Sequence, residues 1–169
     1  MDRESLEYSS GVLDEIEAAV TQLGGQMVRL EPEQSGGIPT GVIGTFHSPD
    51  GQPWNVVCSV LPTHYGELST TFIQIHVQLG DPVGEKAAAL SELAALCNAG
   101  FLLGSLIILE GYLCMKYVMA LDPNEPLPTE HFQSVLAVFV RQAGAFAQIV
   151  DRVRGGMDPH RAMAEPLKS

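Results

Sequence analysis

The sequence predicts an α+β domain: an antiparallel sheet of about five to six strands with three helices, in the order α-β-β-β-β-α-β-β-α. Three observations carry that reading. Apolar residues recur at helical spacing near both ends and once in the middle of the chain. Short runs rich in β-branched and aromatic residues, separated by turn-forming clusters, fill the space between. The long apolar stretch FLLGSLIILEGYLCMKYVMAL, Phe101 to Leu121, folds back on itself.

The first helix is expected around Val12–Leu23, where Val12, Leu13, Ile16, Val20 and Leu23 share one face and Gly24-Gly25 follows the end. Four strands come next, carried by MVRLE, GVIGTF, WNVVCSVL and STTFIQIHVQL. The Pro49-Asp50-Gly51 cluster joins the second and third as a hairpin. In the fourth, Thr71, Ile73, Ile75, Val77 and Leu79 lie on one side, with Phe72, Gln74, His76 and Gln78 on the other, the pattern of a sheet covered on one face only. GEKAAALSELAALCNAG gives the second helix, with Leu90, Leu93, Ala94 and Cys97 on one stripe. PTEHFQSVLAVFVRQAGAFAQIVDRV gives the third, with Thr129 expected as its N-cap and an apolar face from Phe132 to Val150.

Phe101–Leu121 is apolar enough to pose a choice between a membrane span and a hairpin. A span would place Glu110 and Lys116 in hydrocarbon at roughly 2.5–3.5 kcal/mol each. A two-residue turn at Glu110-Gly111 instead pairs Leu109 with Tyr112, Ile108 with Leu113, Ile107 with Cys114, Leu106 with Met115 and Ser105 with Lys116. The core side is then Gly104, Leu106, Ile108, Leu113, Met115, Tyr117 and Met119. The outer side is Leu103, Ile107, Leu109, Tyr112, Cys114 and Val118, an apolar surface that a second subunit or a protein ligand is expected to cover. Helices on both faces within one chain are the alternative. Residues 1–154 form the expected domain, and 155–169 a flexible C-terminal tail without pattern.

Composition excludes several functions. With 9 Lys+Arg against 20 Asp+Glu the formal net charge is -11, which repels nucleic acid and anionic lipid, so neither is an expected partner. Cys58, Cys97 and Cys114 are odd in number and form no CxxC pair, as expected of reduced thiols. MDRESLEYSS has no apolar signal-peptide segment, and a cytoplasmic location is expected.

No catalytic, cofactor or metal constellation emerges. The histidines at 47, 64, 76, 131 and 160 are scattered, and a site from Cys58, His64 and Cys114 lacks metal-ligand spacing. SGGIPTGVIG lacks the Lys-Ser/Thr of a phosphate-binding loop, and DPNEPLP is too proline-rich for a calcium loop. Trp54, Tyr65 and Phe72 are read as core, with the lining of a small-molecule pocket as the alternative.

The order of elements, carried by LAALCNAGFLLGSLIILEGYLCMKYVMAL followed by LPTEHFQSVLAVFVRQAGAFAQIVDRV, resembles the type III secretion chaperone fold and its relatives in the YbjN family, over roughly residues 10 to 154. The resemblance implies a bacterial, cytoplasmic, homodimeric, chaperone-like or regulatory module that holds a protein partner, such as an extended segment, on apolar surface without catalysis. On this reading Trp54, Leu103, Ile107, Leu109, Tyr112 and Val118 contact the partner. A small-molecule-sensing regulator with an enclosed apolar pocket is the alternative. The opening helix with its Gly-rich loop and the unpatterned tail depart from the family pattern.

Overall fold

The structure, a computed structural model, describes residues 3–30, 41–47, 53–65, 68–100, 104–122 and 125–167. Helix α1 (Arg3–Gln22) leads into four antiparallel strands, β1 (Gln26–Leu30), β2 (Gly41–His47), β3 (Pro53–Tyr65) and β4 (Leu68–Pro82). A 3-10 turn at Gly84–Lys86 opens α2 (Ala87–Asn98), and the hairpin of β5 (Ser105–Leu109) and β6 (Tyr112–Leu121) precedes α3 (Thr129–Arg154) and a short α4 (Pro159–Ala164). The six strands lie in the order β1-β2-β3-β4-β6-β5, all neighbours antiparallel.

The α+β class, the antiparallel sheet and the order of its elements are as the sequence predicts, with α4 in addition. The hairpin forms in the expected register, Leu109 opposite Tyr112 through Ser105 opposite Lys116. Glu110 and Gly111 both take positive φ, 51° and 83°, which a tight two-residue connection between twisted strands requires. Lys116, whose burial in hydrocarbon counted against a span, lies beside His76 of β4 in the sheet. Among the described residues α3 alone is a helix long and apolar enough by composition to cross a membrane. Its apolar stripe, however, packs on the sheet through Phe132, Leu136, Phe139 and Ala143, all fully buried.

Alternation along the strands fixes where the core sits. Val56, Cys58 and Val60 of β3, Ile73, Ile75, Val77 and Leu79 of β4, and Leu113 and Met115 of β6 are fully buried under the helices. The buried stripe of α2 is Leu90, Leu93, Ala94 and Cys97, as its spacing predicts. Phe132 and Phe139 are the largest fully buried side chains, and losing either ring costs about 3–5 kcal/mol by the usual scale of Phe-to-Ala changes.

Several local expectations are corrected. Leu23 lies past the end of α1 and is 40% exposed, because the helix stops at Gln22 and the chain turns before β1. Thr129 is the first helical residue rather than the cap, and its hydroxyl donates to the Leu127 carbonyl. Ile108 alternates toward the helical side but is 39% exposed, since the hairpin runs beyond the helices there. The stretch after Arg154, expected to be patternless, holds α4 against α2 and α3. Asp158 caps α4 by accepting from the Arg161 backbone N–H, and the Arg152 guanidinium donates to the carbonyls of Ala162, Glu165 and Pro166. One arginine thereby takes a carbonyl of the last turn and two just past it, tying down a helix too short to hold itself. The Pro49-Asp50-Gly51 turn lies outside the described residues, although His47 pairs with Pro53 on either side of it.

Candidate functional site

The described helices all pack on one face of the sheet, so the other face is the candidate site. One register row crosses it from edge to edge: Val28, Ile43, Val57, His76, Lys116, Ser105. A neighbouring row runs Gly41, Ser59, Gln74, Val118, and the next Leu61, Phe72, Ala120. Val28 is 70% exposed and Val118 43% exposed, while Ile43, Val57, Leu61 and Phe72 are half-buried by their strand neighbours. Short polar residues separate these apolar ones. Asp81, near the end of β4, is the only acidic residue among the described residues of the six strands, so in a chain of formal charge -11 the strands contribute almost no carboxylate to the open face.

Four of the six residues expected to contact a partner stand on this face at the hairpin. Ile107 and Tyr112 are half-buried, and Leu109 and Val118 are exposed. Leu103 lies outside the described residues. Trp54 is corrected: it alternates with Val56 and Cys58 onto the helical side, opposite Phe46 in register, and is 5% exposed. Its indole Nε1 has no hydrogen-bond partner among the described residues. Trp54 and Phe72 point to opposite sides of the sheet and so do not line one pocket.

Two contacts that spacing did not reveal shape the hairpin end. Leu106 donates its backbone N–H to Asn98 Oδ1 at 2.7 Å, and Asn98 Nδ2 donates back to the Leu106 carbonyl at 2.9 Å. The last side chain of α2 thus occupies both outward backbone groups of Leu106 on edge strand β5, where an added strand would otherwise pair. The signal was present in the sequence as an Asn ending a helix just before a hairpin. At the opposite edge, Arg29 of β1 reaches Glu17 at 2.6 Å and also pairs with Asp14, tying the strand to α1. Both carboxylates raise the already high pKa of Arg29, the Glu17 hydrogen bond most of all.

The titratable chemistry is modest. Burial pushes the Cys58 thiol up to about 12, and Cys97 and Cys114 are raised too, by burial and, for Cys114, by Glu110. All three are free thiols, disposed against nucleophilic or ligand duty by these shifts. Cys58 and Cys114 sit on opposite faces of the sheet, so they do not converge on a metal. Among the described residues no three His, Cys, Asp or Glu side chains gather to hold an ion. His76 has its pKa lowered, first by burial and then by Lys116 beside it, and its Nε2 is buried without a partner among the described residues.

The arrangement defines a one-sided α+β sheet domain with a half-apolar open face on which, among the described residues, Lys116 is the charged side chain. Comparison with protein-family profiles, with curated proteins and with solved structures finds no match to this chain.

Proposed function

We propose that the protein is a non-enzymatic, chaperone-like or regulatory binding module, a dimer in the cytoplasm, that holds a protein partner on the apolar end of the β5–β6 hairpin. The observation that carries this reading is the hairpin end itself. Ile108 and Leu109 are 39% and 42% exposed on opposite sides of the strand, with Ile107 and Tyr112 beside them. Apolar side chains exposed on both sides of a projecting hairpin are more than solubility calls for, and they form a wedge that a partner can enclose. Because Asn98 fills the backbone groups of Leu106, the partner engages side chains here rather than extending the sheet along the whole of β5. The resemblance to type III secretion chaperones and the YbjN family supports the same class of role.

The test is capture of partners from native cell lysate on the tagged protein, compared with its Leu109→Asp and Ile107→Asp forms. One dominant protein retained by the parent, and at least tenfold less by the variants, is expected. Equal retention by all three would remove the hairpin from the binding surface.

A further inference from the structure

We propose that a second copy of this chain covers the open sheet face over β1–β4, stacking two sheets face to face with both sets of helices outward. The proposal rests on the proposed function only in taking the domain to be dimeric. It assigns the seam to a surface distinct from the hairpin end.

Size selects the occupant. Strands of 5, 7, 13 and 15 residues, at about 3.3 Å per residue and about 4.8 Å spacing, lay down roughly 600 Å² of sheet before side-chain relief is counted. A specific interface needs about 500 Å² per partner at its lower bound and about 800 Å² typically. A single extended segment is only about 5 Å of backbone wide and leaves most of four strands uncovered. A second sheet packed at about 10 Å covers them all.

Charge selects it further. Two copies of formal net charge -11 repel, and they can meet only through surface without carboxylates. Among the described residues the open face of β1–β4 is such a surface: Val28, Ile43, Val57, Leu61 and Phe72 interleaved with Thr45, Asn55, Ser59, Gln74 and Gln78. Among the side chains described on this face His76 alone is titratable, held toward the neutral form, and Lys116 on β6 borders it. A twofold seam sets each patch against its own copy, so an uncharged patch escapes the like-charge contacts that acidic ones would make. Face-to-face stacking also carries the acid-bearing helices to the two outer sides, as far apart as the fold allows.

The experiment is sedimentation equilibrium of the full chain at low and high salt, with Ile43→Asp and Ser59→Glu variants. The parent is expected at twice 18.1 kDa, tightening severalfold as salt screens the residual repulsion. Each variant is expected to weaken the dimer at least tenfold with an unchanged circular dichroism spectrum. Ser59→Glu replaces a residue that is already polar, so it decides the matter if Ile43→Asp does not fold. A monomeric parent, a dimer indifferent to Ser59→Glu, or a dimer that loosens with salt overturns the proposal. Leu109→Asp, run alongside, is expected to stay dimeric while losing the captured protein. Partner retention lost with the dimer intact and partner retention absent from a dimeric parent therefore speak to the proposed function alone.

Discussion

At the residue scale, two glycines of the hairpin separate backbone strain from steric fit. Gly111 has φ of 83° with open space where a Cβ would stand. Gly104 has φ of 81°, and a Cβ there would lie 2.4 Å from the Lys116 carbonyl oxygen. Gly111→Ala is expected to cost about 1 kcal/mol, the usual penalty for a left-handed L-residue. Gly104→Ala should cost clearly more, because the backbone of β6 must move as well. Urea titration of the two variants checks the order; equal losses would mean that the neighbouring strand yields freely. His76 makes a second prediction. Its folded pKa lies below the ordinary 6.5 because burial and Lys116 oppose its charge. Between the folded pKa and 6.5 the unfolded chain binds the extra proton, so stability rises with pH across that window. His76 therefore imposes no penalty above about pH 6.5 and destabilises progressively as pH falls through it. His76→Gln should flatten this part of the stability profile; thermal melts of both proteins from pH 7.5 to 5 report the difference.

At the scale of elements, α2 and β5 are joined by the two hydrogen bonds of Asn98 rather than by their own backbones. Asn98→Ala leaves an N–H and a carbonyl of a partly buried strand unpaired, at about 1–3 kcal/mol. Amide exchange at Leu106 should accelerate in the variant ahead of β3 and β4, whereas uniform acceleration would mean that the contact steadies the whole domain. The elements differ in how openly the sequence declares them. The hairpin register could be read because Glu110-Gly111 permits one two-residue turn and a one-residue slip would bury Lys116 among Leu113 and Met115. The stripe of α2 could be read because Leu90, Leu93, Ala94 and Cys97 keep helical spacing. Helix α4 could not, since six residues carry too little periodicity, and it depends on Arg152 reaching back from α3.

For the whole molecule, the difficulty lies in deciding which side of a sheet stays open. The alternation of β4 assigns residues to two faces, but both faces of the hairpin are apolar, and only the helical contacts show which one is covered. Trp54 admits both the core and the partner-contact reading for that reason, since an aromatic residue at the start of a strand has the same signature at a surface as in a core, and its burial supports the core reading alone. The carboxylates were informative only once the strands were known, because their absence from a face has no linear pattern. The open face also governs behaviour in solution. If a second copy occupies it, apparent melting temperature should rise with protein concentration, as native-state association requires. Melts at low and high micromolar concentration would show it, and coincident curves would place the domain among concentration-independent folders.

The side chain at position 98 has one more consequence. Growth of a sheet by lateral addition, whether into an oligomer or an aggregate, needs a free strand at each end of every unit. With an amide seated on β5, a unit has lost the use of one such end over Leu106, and stacking through the face terminates after two. A sheet with these properties can form a closed pair readily while a chain of units finds no continuing path.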